Sequence, residues 1–118
     1  MKITCLVDNL GSNNKRLKPE NGLSYFIEKG DHKILFDTGS NDALVKNAKT
    51  LGIDLALVES VIISHGHYDH GGGLPAFFRV NKSAKVYIKE SAFGPFFHDH
   101  QLFSRYIGLP TKKLNQFR

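Results

Sequence analysis

The sequence predicts an α/β fold, a mixed β-sheet flanked by helices, and three stretches carry that reading. Leu23 to Glu28 and Lys33 to Phe36 are short β-type runs separated by Lys29-Gly30-Asp31-His32, whose residues suit a hairpin turn. Residues 41–52 follow with apolar side chains at 44, 48 and 51, an Asx-type start and a terminal glycine, the pattern of an amphipathic helix. Val61-Ile62-Ile63 is a continuous apolar run, which implies a strand buried on both faces in a sheet covered by helices.

In chain order, Ile3, Cys5 and Val7 alternate with other residues, so 2–7 reads as a first strand with Cys5 as a buried, inert thiol. Residues 10–21 are polar, punctuated by Gly11 and Pro19, and form a long loop without a period. His32 opens the second hairpin strand as an exposed strand-end residue. Ile53 to Leu57 bridge to the strand Ser60 to Ile63. Gly71-Gly72-Gly73 let the backbone approach what the preceding loop binds and turn into a helix at Leu74-Pro75, with Leu74, Phe77 and Phe78 on its core face. Ala84 to Lys89 reads as another strand, and Glu90 to Phe97 as a short helix broken at Gly94-Pro95.

The chemistry is concentrated in Ser64-His65-Gly66-His67-Tyr68-Asp69-His70-Gly71. Imidazole nitrogen and carboxylate oxygen are ligands for Zn²⁺, Mn²⁺ or Fe. In an extended loop His65, His67 and Asp69 point the same way, whereas His70, next to Asp69, points elsewhere. That spacing suits two neighbouring metals better than one. A second His-x-His, His98-Asp99-His100, reads as a polar loop beside Phe93, Phe96, Phe97 and Phe103; its functional alternatives are to complete a metal site or to bind a substrate phosphate.

His-x-His-x-Asp-His after a hydrophobic strand and before a Gly-rich turn resembles the metallo-β-lactamase superfamily. Ile34-Leu35-Phe36-Asp37-Thr38-Gly39 matches that family's upstream strand ending in Asp-Thr-Gly. Residues 1–9, 22–28 and 106–110 look like a branch linked to dihydropterin and methanopterin chemistry. The resemblance implies that His65 and His67 belong to a first metal site and Asp69 and His70 to a second, with Asp37 orienting a ligand from behind. It further implies a metal-dependent hydrolase acting on an ester, amide or phosphate of a small-molecule substrate, with Asp69 both a ligand and the catalytic partner that aims the attacking water. One or two ions are expected, zinc or alternatively manganese or iron.

Members of that superfamily are about twice this length and are built of two similar halves. Residues 1–118 are therefore expected to be the N-terminal half of an αββα sandwich, stopping before the family's later ligands. The alternatives are a non-catalytic metal-binding fragment or subunit and a nucleic-acid-processing nuclease. A homodimer or a complementary chain is expected to cover the open side, and His98 and His100 are the histidines, besides His32, that remain to complete coordination.

Composition sets the remaining bounds. The chain has 118 residues, one cysteine and a net charge of +5. A single cysteine excludes an internal disulfide, and the chain shows neither a signal-peptide core nor an apolar run long enough to span a membrane, so it reads as cytoplasmic. Residues 1–78 hold eight Lys/Arg against nine Asp/Glu, while residues 79–118 hold eight against two. The default for this basic tail is a solvated face; a phosphorylated substrate, nucleic acid or an acidic partner would be its functional use.

Overall fold

The computed structural model describes residues 1–99 and 104–115, with His100, Phe103 and Arg118 outside them. A five-stranded sheet runs in the order β1 (Lys2–Val7), β2 (Ser24–Lys29), β3 (His32–Phe36), β4 (Ser60–Ile62) and β5 (Lys85–Tyr87). β1, β2 and β3 pair antiparallel, and β3, β4 and β5 pair parallel. The connections dictate this change of direction. Gly30 takes a positive φ of 59° in the tight turn from β2 to β3, whereas the parallel strands are joined through helices, as parallel pairing requires. α1 (Ala43–Thr50) links β3 to β4, and α2 (Tyr68–Gly71) with α3 (Leu74–Val80) links β4 to β5. A hairpin of β6 (Phe97–Asp99) and β7 (Ser104–Tyr106) follows, then a short α4 (Thr111–Leu114). Among the described residues no helix is long and apolar enough to cross a membrane.

The core lies on one face of the sheet, where Phe26, Leu35 and Val61 pack with Leu44, Ala48, Leu74, Phe77 and Leu109. The other face is apolar but open. Register aligns Ile3, Ile27 and Ile34 in one row and Tyr25, Phe36, Ile62 and Tyr87 in the next. Ile3 and Tyr87 are 56% exposed and Ile62 38%. The expectation that the Val61-Ile62-Ile63 strand is buried on both faces is thus corrected: Val61 and Ile63 are buried, and Ile62 stands on the open face. Cys5 is corrected likewise, since it is exposed. A register shift between Cys5 and Val7 breaks the alternation, so that Leu6 and Val7 are both buried. Partial desolvation, then the nearby Asp8 carboxylate, push the Cys5 thiol pKa up, which disfavours the thiolate.

The N-terminus of α1 is capped from afar. Asp42 makes no side-chain cap bond. Instead the Glu20 carboxylate, from the long loop, accepts from the backbone N–H groups of Ser40 and Asn41 at 2.8 Å and of Ala43 at 3.2 Å. Asn47, buried on α1, holds the same loop by donating to the Lys18 carbonyl and accepting from the Lys18 N–H. A carboxylate at a helix N-terminus satisfies orphan donors and complements the dipole.

Candidate metal centre

β3 and β4 are parallel neighbours, so their C-terminal ends emerge side by side, and the site is built there. Asp37, just past β3, is fully buried and holds a left-handed φ of 56°. Its N–H donates to the Ile62 carbonyl at 2.9 Å, and its own carbonyl accepts from Ser24 Oγ at 2.8 Å. Aspartate tolerates this conformation better than most residues, and the two bonds fix the direction of its side chain.

That side chain is the hub of the site. The carboxylate accepts from the Ser64 N–H at 2.8 Å, from Ser64 Oγ at 2.6 Å and from His70 Nδ1 at 2.8 Å. Ser64 Oγ has given its proton to Asp37, so toward His65 Nδ1, 2.9 Å away, it acts as acceptor. Network bookkeeping therefore assigns the Nδ1–H tautomer to both His65 and His70 and leaves each Nε2 with a free lone pair. Histidines that ligate a metal are oriented by such a bond on the other ring nitrogen.

The ligand atoms of His65, Asp69 and His70 lie within 4.8 Å of one another. The rings of His65 and His70 stand 4.1 Å apart, and His70 Nε2 is 3.7 Å from Asp69 Oδ2. Burial, followed by the neighbouring His70 and His67, lowers the pKa of His65 and favours the neutral imidazole that a cation needs. The donor set of two nitrogens and one oxygen fits a divalent transition metal with an open position.

The extended-loop geometry expected from spacing is not the one adopted. Tyr68–Gly71 turn helical after His67, which swings His70 back beside Asp69 and brings His65, Asp69 and His70 together. His67 stands at the side, its ring centroid 4.8 Å from His65 and edge-on to Phe96 at 5.4 Å. His98 is in strand β6 rather than a loop and faces the same opening as His67 and Asp69; His100 lies outside the described residues. His32 is far away and pairs with Glu59. The glycine run also makes room for a neighbouring segment. A Cβ on Gly73 would meet the Thr38 carbonyl at 2.2 Å and one on Gly72 the Ser40 carbonyl at 2.4 Å, so these residues admit the close passage of chain 38–40.

The profile of the metallo-beta-lactamase superfamily matches residues 17–117. The chain belongs to this superfamily. Against the 7,8-dihydropterin-6-methyl-4-(beta-D-ribofuranosyl)-aminobenzene-5'-phosphate synthase of Methanocaldococcus jannaschii it is 30% identical over 99 residues, covering 79% of the chain and 34% of that protein. An uncharacterised protein of the same organism is 33% identical over 108 residues, 91% of the chain and 40% of that protein. Among solved structures, Tm1679, a metal-dependent hydrolase of the beta-lactamase superfamily, superposes with a TM-score of 0.75 at 33% identity over 98% of the chain and 39% of that structure. The mixed sheet and helices of this chain thus match a metallo-beta-lactamase fold, and the chain spans about a third to two fifths of the length of these relatives.

Three contributors to the centre went unassigned in the sequence. Ser64 links Asp37 to His65, and its adjacency to a histidine at a strand end was the available signal. Gly22, with φ 118°, lies so close under the metal loop that a Cβ would stand 1.8 Å from the Asp69 carbonyl oxygen. No local pattern marks that contact, which spans 47 residues. Tyr68 is fixed by a bond from Asn21 Nδ2 to its hydroxyl at 2.8 Å, again across the chain.

Proposed function

We propose that this chain carries the metal-binding portion of a metallo-beta-lactamase-type hydrolase, with His65, Asp69 and His70 holding a first cation and His67 on the edge available to a second. The observation that carries the reading is the convergence of three ligand atoms within 4.8 Å, with both imidazoles anchored through Nδ1 to the Asp37–Ser64 network. A bound zinc, or manganese or iron in its place, supplies Lewis acidity and lowers the pKa of water toward neutrality. The protein's part is positional. Asp37 and Ser64 hold the two imidazoles through Nδ1, and the Asp69 carboxylate would accept a hydrogen bond from the attacking water, orienting it toward an ester, amide or phosphate bond.

The open apolar face bears on assembly. Rows of exposed isoleucine and aromatic side chains favour burial against a second layer. In the isolated 118-residue chain we propose that a second copy covers it, or that a complementary chain does so. Sedimentation of the chain together with assays on ester, amide and phosphate substrates tests both parts. Metal-dependent hydrolysis that is lost on chelation and restored by zinc, manganese or iron, from a dimer or larger assembly, is the expected result. Hydrolysis that survives chelation, or a fully active monomer, would contradict it.

A further inference from the structure

Beside the metal cluster is a cavity of about 350 Å³ lined by His67, Tyr68, Asp69, His98, Arg105 and Ile107. Resting on the hydrolase reading above, we infer that this cavity seats an anionic oxygen group of the substrate, a phosphate or carboxylate, on Arg105 with His98 as second donor. Four observations carry it. His98 and Arg105 are direct cross-strand partners in the β6–β7 hairpin, so their side chains leave the same side of it, and that side opens on the cavity. The Arg105 guanidinium lies over the Tyr68 ring, 5.8 Å from its centroid. Tyr68 itself is fixed, through Asn21 at its hydroxyl and by donation of its N–H to the Ile107 carbonyl at 2.9 Å. The hairpin is stitched to the metal loop at the same place by the His67–Gly108 bridge, which sets the distance between Arg105 and Asp69.

A planar guanidinium held on an aromatic platform presents its fork of donors with little entropy left to lose, and that fork matches two oxygens of a carboxylate or phosphate. The cavity falls in the size range of small-ligand sites. Asp69 in the wall repels an anion while its charge is uncompensated, so a cation on the cluster removes that repulsion and draws the anion's scissile side toward it. Anion and metal are therefore expected to bind synergistically. Arg79 and Lys113 line a separate cavity on the other side of Tyr68, away from His67 and Asp69, which makes Lys113→Ala a control for general positive charge.

Calorimetric titration of the 118-residue chain with inorganic phosphate and with acetate, metal-free and zinc-loaded, tests the inference. Arg105→Ala and Arg105→Gln should weaken binding of the preferred anion about 10-fold or more, the loss expected for a charge-assisted contact, with zinc content unchanged and Lys113→Ala like wild type. Whichever of phosphate or acetate binds more tightly identifies the handle. Equal affinity in wild type and both Arg105 variants, or no binding of either anion at millimolar concentration, would overturn it. Arg105-dependent phosphate binding in a protein that fails to hold zinc would sink the metal reading and leave the anion seat standing.

Discussion

Two histidine–carboxylate pairs sit at opposite ends of β3 and β4, and they differ in burial far more than in length. His32 and Glu59 are 2.6 Å apart with side chains 73% and 49% exposed, while His70 and Asp37 are 2.8 Å apart with side chains 20% and 1% exposed. The shorter contact is the less consequential. At the exposed end water competes for both partners and side-chain entropy opposes the pair, so it contributes little. At the buried end Asp37 has no water to turn to, three donors converge on it, and the imidazole it holds belongs to the candidate ligand cluster. Chemical type and distance alone would rank these pairs the wrong way round.

The sharpest way to break the comparison is to remove both carboxylates in parallel. Asp37→Ala should lower zinc affinity about 10–100-fold, the usual effect of deleting the partner behind a ligating histidine. The orphaned Ser64 and His70 donors should also lower stability by roughly 1–3 kcal/mol without unfolding the domain. Zinc titration read beside a thermal melt separates the two effects. A loss of stability with zinc affinity unchanged in the folded protein would make Asp37 purely structural.

Ser64→Ala tests the same network one link further out. It removes the acceptor for His65 Nδ1 and one of the three bonds to Asp37, so a smaller loss of zinc affinity than in Asp37→Ala is expected by the same titration. A loss as large as that of Asp37→Ala would mean that the hydroxyl, rather than the carboxylate, is the hub.

The third test is pH. His65 has a lowered pKa in the folded chain, so between the folded value and the ordinary histidine value of about 6.5 the unfolded state binds more protons. The stability this group contributes is present above about pH 6.5 and is lost as pH falls through the folded value. Melts of metal-free protein should therefore lose stability below about pH 6.5, with a shallower slope in His65→Gln. Identical slopes would show that His65 is not the group responsible.

Glu59→Gln is expected to do least, shifting stability by less than about 1 kcal/mol and leaving zinc affinity unchanged. A larger shift would mean that the exposed pair at the far end of the sheet is coupled to the site.

Sequence periodicity located the antiparallel hairpin, α1 and the strand that leads into the metal loop, because burial on one face leaves a local trace in each of them. It missed what depends on a third element. The open face beneath Ile62 is invisible in a run of three apolar residues, since the run reports hydrophobicity and not what covers it. Cys5 is exposed because it pairs with Tyr25 on that same open face, and the bulge that follows it turns both Leu6 and Val7 inward, which no composition rule reports. The cap of α1 comes from Glu20, more than twenty residues upstream, which the local Asx-type start does not reveal. In the metal loop the residue types stand in the sequence, whereas the local conformation does not: Tyr68–Gly71 form a single helical turn, and the ligand atoms of His65, Asp69 and His70 lie within 4.8 Å of one another.

The central claim is that His65, Asp69 and His70 hold a transition metal. Elemental analysis after zinc loading and dialysis, on wild type and His65→Ala/His70→Ala side by side, addresses it most directly. Wild type should retain about one zinc or more per chain and the double variant almost none while keeping its fold, since removing two of three ligands leaves too few to hold the ion. Equal zinc content in the two folded proteins would contradict the assignment.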